Sequence, residues 1–196
     1  MTDHGESKVS ISKREIKING YISLSTVSAV ARAIRDMQRH TLEPIFVIIG
    51  NSHGGCASSG QMIFGMLRSA VAPIFTVVEQ FAWSSAFYIF LAGKRRIMFR
   101  GARTGPHSVA ITRYKDVSYD LVQQHSDMMY TKAFDKQIVK TIRSVVKMPP
   151  SKIWEMCLTK KIFSAHDALK IGIATDLALA KTFYKPRPRN KRRKTK

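Results

Sequence analysis

The hydrophobic positions of this chain alternate between short apolar runs and longer stretches with helical spacing. The runs at residues 45–49 (IFVII) and 74–78 (IFTVV) are apolar on both faces, which is typical of buried strands in a parallel sheet. The segment EIKINGY at residues 15–21 alternates and then reaches Asn-Gly, so it predicts a strand followed by a turn. After Ser25, apolar residues recur every three or four positions, which predicts a helix capped by that serine.

The rest of the chain continues the same alternation. Helices are predicted at residues 58–68, 84–92, 120–146 and 165–171. Strands are predicted at residues 96–99, 108–111 and 173–177. Strands that alternate with helices through short loops predict an α/β fold with a parallel sheet. The sequence has no internal repeat and neither a P-loop nor a GxGxxG motif.

Composition narrows the class of protein. Hydrophobic residues make up 44% of the 196 residues, which suits one domain with its own core and excludes a wholly disordered basic protein. Two cysteines, Cys56 and Cys157, exclude a disulfide-dense module and a four-ligand zinc finger. The start of the chain is polar, and the longest apolar run, residues 82–92, has about half the length of a membrane span. We therefore expect a soluble, cytoplasmic protein with no membrane span, cofactor or metal.

The charge is the most unusual number in the composition. Lys and Arg total 33 against 13 Asp and Glu, for a net charge of +20 that favours an anionic partner. Eight of these basic residues lie in the segment from Lys185 to Lys196, which has no acidic or apolar residue. We expect residues 185–196 to be a disordered tail that either aids solubility or makes non-specific contact with nucleic acid or another anionic surface. We expect residues 1–14 to be a flexible N-terminal segment and residues 15–184 to form the folded domain.

Two of the predicted strands end in sequences suited to chemistry. Residues 45–49 lead into NSHGG, where Gly54 and Gly55 allow a sharp turn whose amide groups can stabilise an oxyanion. Residues 74–78 lead into EQFAWSSA, which places Ser84 at the start of a helix. A simple turn and a helix cap would explain each segment alone. Together, at the carboxyl ends of parallel strands, they predict a functional site.

These segments resemble the proteolytic subunit of the Clp protease (ClpP) family, within the ClpP/crotonase fold. The resemblance runs from about residue 14 to residue 180 and rests on the segments EIKINGYI, PIFVIIGNSHGG, QFAWSSAFYIFLAG, GPHS and IFSAHDALKIGIATDL. It implies repeated β-β-α units, a parallel sheet covered by helices, and a protruding handle helix. The long helix predicted at residues 120–146 is the counterpart of that handle.

The resemblance also implies a serine endopeptidase that hydrolyses unfolded polypeptides. By position, Ser84 is the nucleophile and His107 the general base, while Gly55 and Ser85 supply the amides of the oxyanion hole. The serine would attack a peptide carbonyl, and water would then hydrolyse the acyl-enzyme. No cofactor or metal is implied.

The sequence departs from the family pattern at the position of the triad acid. Lys160 stands there, and a charged lysine cannot orient His107 or stabilise an imidazolium. Three alternatives follow: Asp135 or Asp167 replaces the acid, Lys160 serves as the base of a Ser–Lys dyad like that of signal peptide peptidase A, or the chain is an inactive scaffold subunit.

The nucleophile motif itself carries two further departures. Gln80 replaces the glycine that opens the motif in the family, and a side chain there could crowd the turn. Trp83 precedes the serine where small residues are usual, either packing under the turn or walling a substrate pocket.

The family also implies partners. Its members form heptameric rings, usually doubled, and receive unfolded substrates from an AAA+ ATPase, so a homo-oligomeric ring and such an ATPase are expected here. Two other functions stay open on this scaffold. A crotonase-like acyl-CoA enzyme would use the two amides without Ser84, and a nucleic-acid-binding protein would depend on the basic tail.

Overall fold

The structure is a computed structural model that describes residues 8–109 and 120–184. The strands are β1 (Lys8–Ser12), β2 (Glu15–Asn19), β3 (Tyr21–Ile22), β4 (Ile45–Ser52), β5 (Gly54–Gly55), β6 (Ile74–Trp83), β7 (Arg95–Phe99), β8 (Arg103–Gly105), β9 (Phe163–Ser164) and β10 (Asp176–Ala178). The helices are α1 (Leu24–His40), α2 (Ala57–Ser69), α3 (Ser85–Leu91), α4 (Leu121–Arg143), α5 (Pro150–Leu158), α6 (Ala165–Lys170) and α7 (Ala180–Phe183).

The main sheet has the strand order β1-β2-β4-β6-β7-β10 and is parallel from β2 to β10. The two runs predicted as buried strands, now β4 and β6, pair at its centre, with Ile45 opposite Ile74 and Ile49 opposite Val78. Two short strands extend it: β8 runs parallel to the end of β6, and β9 runs antiparallel to β8. The predicted α/β fold with a parallel sheet is confirmed.

The core lies between this sheet and the helices, and α3 is its most enclosed element. Every residue of α3 is buried, including Phe87, Tyr88 and Phe90. Burying an aromatic or aliphatic side chain of this size contributes about 1.5–3 kcal/mol, so α3 is held firmly in place. Helix α2 crosses it closely, since a Cβ added at Gly60 would lie 2.6 Å from the Cβ of Ser85.

The N-terminal segment differs from the prediction. Residues 8–12 form β1 rather than part of a flexible segment, and β1 pairs antiparallel with β2 from Lys8 opposite Asn19 to Ser12 opposite Glu15. The turn between them uses Lys13, whose φ of 43° lets the chain reverse within two residues. Sequence reasoning missed β1 because its side chains are mostly exposed and give no core pattern.

Several other boundaries also shift. The cap of α1 is Ser23 rather than Ser25, and α3 begins at Ser85 because β6 extends to Trp83. Residues 108–109 are not in a strand, while residues 110–111 of that prediction lie outside the described residues. The last strand is Asp176–Ala178 instead of residues 173–177. Ile173 and Ala174 are buried, but they precede the strand. Helix α5 was missed because Pro150 begins a helix here instead of only ending one.

Helix α4 matches the predicted long helix and has two unlike halves. Asp120 caps it by accepting a hydrogen bond from the N–H of Gln123 at 2.7 Å. Its first half exposes apolar side chains, among them Leu121, Val122 and Met129, whereas Ile138 and Ile142 in its second half are buried. In the described ranges, no helix has the length and hydropathy to cross a membrane. The predicted basic tail lies outside these residues.

Candidate active site

Ser84 stands at the corner where β6 ends and α3 begins. Its φ of 57° and ψ of −125° form a backbone conformation that non-glycine residues rarely adopt, at a cost of about 1–3 kcal/mol. The corner is held by hydrogen bonds, because the Ser84 N–H donates to the Gly105 carbonyl at 3.1 Å and its carbonyl accepts from the Phe87 N–H at 3.0 Å. A strained strand-to-helix corner also presents the nucleophilic serine of the α/β-hydrolases.

The glycine turn packs directly against this serine. A Cβ at Gly54 would lie 2.6 Å from the Cβ of Ser84 and 3.0 Å from its Oγ, and Gly54 has a φ of +95°. A Cβ at Gly55 would lie 2.3 Å from the carbonyl oxygen of Ile22. The Ser52 hydroxyl fixes the turn, since it accepts from the Gly54 N–H at 3.2 Å and donates to the Gly20 carbonyl at 2.6 Å. Both glycines are therefore required by space.

The two residues predicted for the oxyanion hole lie at this same corner. Ser85 is the first residue of α3, so its N–H has no acceptor within the helix. Its side chain is buried, and its Oγ has no hydrogen-bond partner in the described part of the chain. Gly55 follows Gly54 in β5, which pairs with β3 beside Ile22. The arrangement can present backbone amides to a substrate carbonyl that lies over Ser84.

His107 approaches the corner from β8. Gly105 of β8 pairs with Trp83, and His107 follows two residues later with its ring 5.2 Å from the Trp83 ring at an angle of 53°. The His107 Nδ1 lies 2.5 Å from the carbonyl oxygen of Ser108. An N–H on Nδ1 donates to that carbonyl and leaves Nε2 with the free lone pair of a general base. Within the described residues, no hydrogen bond joins Ser84 Oγ to this ring.

Lys160, at the position where the resemblance predicts the triad acid, is exposed. Lys160 follows α5 with a φ of 51°, and its N–H donates to the Cys157 carbonyl at 3.3 Å. Its ammonium group lacks the burial that makes a lysine a base in a Ser–Lys dyad.

The two candidate replacement acids differ in their contacts. Asp135 of α4 accepts a hydrogen bond from the Val109 N–H at 3.0 Å, two residues from His107. Asp167 instead belongs to the start of α6, where it accepts from the Ser164 hydroxyl at 2.6 Å. Only Asp135 therefore contacts the histidine segment.

A row of aromatic rings leads to His107. Sequence reasoning identified only one of them, Trp83. The His53 and Phe81 rings are 4.7 Å apart, and the Phe81 and Trp83 rings are 6.1 Å apart. The signal was present in FAW, because alternation places Phe81 and Trp83 on one face of β6 and buries Ala82 on the other. The Trp83 Nε1 is buried without a hydrogen-bond partner among the described residues. Gln80, the other departure, is exposed.

One cysteine lies on each side of the site. Cys56 caps α2 directly after Gly55; partial burial acts to raise its pKa, but hydrogen bonds with Ser58 and Ser59 bring the pKa below the ordinary thiol value. Burial, with a smaller contribution from Asp135, raises the pKa of Cys157 to about 12. In the described ranges, no group of three or more His, Cys, Asp or Glu side chains is arranged to bind a metal.

Comparisons with known proteins identify the fold and the family. The family model for Clp protease matches residues 6–180. Among solved structures, a point mutant of ClpP1 from Listeria monocytogenes has a TM-score of 0.74 and 18% identity, covering 87% of this chain and 94% of that one. ClpP1 from the same organism has a TM-score of 0.73 and 18% identity, covering 88% and 95%. No curated protein matches. The predicted ClpP/crotonase fold is confirmed, and the chain belongs to the Clp protease family.

Proposed function

We propose that the chain is a serine endopeptidase that cleaves polypeptides through an acyl-enzyme on Ser84. The observation that carries this proposal is the strained corner at Ser84, packed against Gly54 and reached by His107 from the neighbouring strand β8. Glycine adopts such a conformation without steric cost, so a non-glycine residue here is not explained by the turn alone.

The reaction runs as a two-step acyl transfer. His107 Nε2 takes the proton of the Ser84 hydroxyl while Oγ bonds to the substrate carbonyl carbon, and the amides of Gly55 and Ser85 stabilise the resulting oxyanion. The C–N bond then breaks as His107 returns the proton to the leaving amine. Water, deprotonated by His107, attacks the acyl-enzyme, and the tetrahedral intermediate collapses to release the acid and regenerate Ser84.

The missing triad acid lowers the expected rate without removing the mechanism. Replacing the acid in a serine protease with an amide costs about 10⁴-fold in rate, and binding and the oxyanion hole still contribute. Here the Ser108 carbonyl occupies Nδ1 and selects the tautomer with a free Nε2. The absence of a Ser84–His107 hydrogen bond in the described residues is compatible with this role, because such bonds often tighten only when substrate is bound.

The test is covalent labelling of Ser84 by a fluorophosphonate probe, located by peptide mapping. Wild-type protein should be labelled at Ser84, and Ser84→Ala should not be labelled. Ser28→Ala, an exposed serine on α1, is the matched control and should behave as wild type. If wild-type Ser84 stays unlabelled in folded protein, the endopeptidase proposal fails.

The second candidate is an inactive scaffold subunit of the same fold, which the exposed Lys160 in place of the acid favours. Both candidates share an assembly. We propose a homo-oligomeric ring, heptameric or doubled, supplied by an AAA+ ATPase; the exposed apolar side chains in the first half of α4 support burial against another copy. Native mass spectrometry should give multiples of seven subunits.

The location and the basic tail complete the proposal. We place the protein in the cytoplasm, which its two free cysteines favour over an oxidising compartment. The tail from Lys185 to Lys196 would add non-specific, salt-sensitive contact with an anionic surface. Binding to a DNA fragment, measured across salt concentrations with and without residues 185–196, tests that contact.

A further inference from the structure

The segment that carries His107 is held by three different helices. The hydroxyl of Tyr88 in α3 donates to the His107 carbonyl at 3.2 Å. The Ser108 N–H donates to the carbonyl of Cys157 in α5 at 3.2 Å. The Val109 N–H donates to Asp135 Oδ1 in α4 at 3.0 Å. Each of three successive residues is thus tied to a separate element.

These ties are unequal in how firmly their partners are placed. Tyr88 and Cys157 are 1% and 0% exposed, so their positions follow from the packing of the core. Asp135 is half-buried on α4, and it reaches the segment through its side chain alone. The position of the His107 segment beside Trp83 therefore depends in part on this one carboxylate.

We propose that Asp135 is the positioning residue of the proposed peptidase, which holds the His107 segment in place through the Val109 amide and so takes over the orienting role that a triad acid performs through the imidazole. This inference rests on the proposed function of Ser84 and His107. It differs from a relocated triad acid, because Asp135 contacts backbone and Nδ1 of His107 is already occupied by the Ser108 carbonyl. What matters in Asp135 is then its acceptor oxygen, not its negative charge.

The surroundings of Asp135 agree with a holding role. Burial raises the pKa of Tyr88, and Cys157 and Asp135 add smaller contributions in the same direction. Burial also raises the pKa of Cys157, again with a smaller contribution from Asp135. Tyr88 therefore keeps its proton and remains the donor to the His107 carbonyl. The carboxylate and the phenol act together on the two ends of one short segment.

The distinguishing experiment compares Asp135→Asn with Asp135→Ala in the full chain. Asparagine keeps the acceptor oxygen and loses the charge, so Ser84 labelling and peptide cleavage should stay within about twofold of wild type. Alanine removes the acceptor and leaves the Val109 N–H without its partner, so kcat should fall about tenfold or more with KM little changed. Asp127→Ala removes a carboxylate from the same helix and should behave as wild type.

Hydrogen exchange at the Val109 amide gives a readout that does not depend on catalysis. Asp135→Ala should speed its exchange about tenfold or more relative to wild type, while Asp135→Asn should not. Equal losses in the asparagine and alanine variants would assign the effect to charge and overturn the proposal, as would unchanged Val109 exchange in Asp135→Ala. If no variant labels at Ser84 but exchange follows this pattern, the peptidase proposal fails and the hold on the segment stands.

Discussion

The two halves of the candidate site are built in opposite ways. The nucleophile half consists of Gly54, Gly55, Ser84 and Ser85, and it is a close-packed corner in which neighbouring backbones leave no room for another side chain. The histidine half consists of His107 and its neighbours, and it is held by single hydrogen bonds to three helices. A close-packed corner tolerates almost no substitution, whereas a segment held by separate bonds can exchange one for another. The difference predicts that a substitution in the serine corner costs more than the loss of any one hydrogen bond to the histidine segment.

The largest expected effect separates His107 from Lys160 as the base. His107→Ala should lower the rate of Ser84 labelling by about 10²–10⁴-fold, since general-base catalysis contributes that much. Lys160→Ala should change it less than about twofold, because Lys160 is exposed and its side chain has no hydrogen bond or ion pair among the described residues. The opposite pattern would identify Lys160 as the base of a Ser–Lys dyad and remove the histidine half from the reaction.

A second prediction tests the close packing at Gly54. Gly54→Ala should destabilise the fold by about 2–4 kcal/mol and abolish labelling, because the new Cβ collides with Ser84 at a strained φ. Gly65→Ala is the matched control: Gly65 is in α2 with open space around its Cβ position, so it should stabilise the fold by about 0.5–1 kcal/mol. Urea denaturation measures both. Equal stability of the two variants would contradict the packing described for the corner.

The aromatic row between the two halves makes a third, smaller difference. Trp83→Ala should raise KM for peptide substrates about tenfold, because it removes a ring that contacts both His107 and Phe81 beside the nucleophile. Trp154→Ala, on α5, should leave KM unchanged. Kinetics with one peptide of defined sequence suffices. An unchanged KM in Trp83→Ala would assign this ring to packing alone.

The two cysteines, one beside each half, should differ in how their alkylation depends on pH. Hydrogen bonds with Ser58 and Ser59 outweigh burial and lower the pKa of Cys56, so its alkylation should rise with pH around a midpoint below that of an ordinary thiol. Burial raises the pKa of Cys157 to about 12, so its thiolate is scarce at neutral pH and it should stay unmodified in folded protein. Mass mapping after iodoacetamide treatment distinguishes them. Modification of Cys157 before unfolding would show that the histidine side opens readily.

Sequence reasoning succeeded where the signal is local. The apolar runs of β4 and β6, the paired glycines and the serine after a strand are each visible within about ten residues, and all lie where they were expected. It failed where the structure depends on distant partners. Asp135 was one of two candidate acids. Nothing in the sequence distinguished a carboxylate that binds an amide 26 residues away from one that accepts a hydrogen bond from the capping serine of its own helix.

Two other misses have the same cause. The aromatic row joins His53, at the end of β4, to His107 beyond β8, and no single segment contains it. Helix α5 begins at Pro150, directly after Pro149. Sequence reasoning uses this pair only as a stop signal for the preceding helix, although proline is well suited to the first helical turn. In both cases the residues are visible in the sequence, but the sequence does not show which residues lie next to them in space.

The strained backbone of Ser84 lowers the stability of the fold. Exchanging the residue for glycine would relieve a strained conformation and should make the protein about 1 kcal/mol more stable. Thermal denaturation of Ser84→Gly measures that gain. Ser84→Gly would also remove the hydroxyl that the proposed reaction needs. Stability and the proposed activity therefore make opposite demands on this one residue.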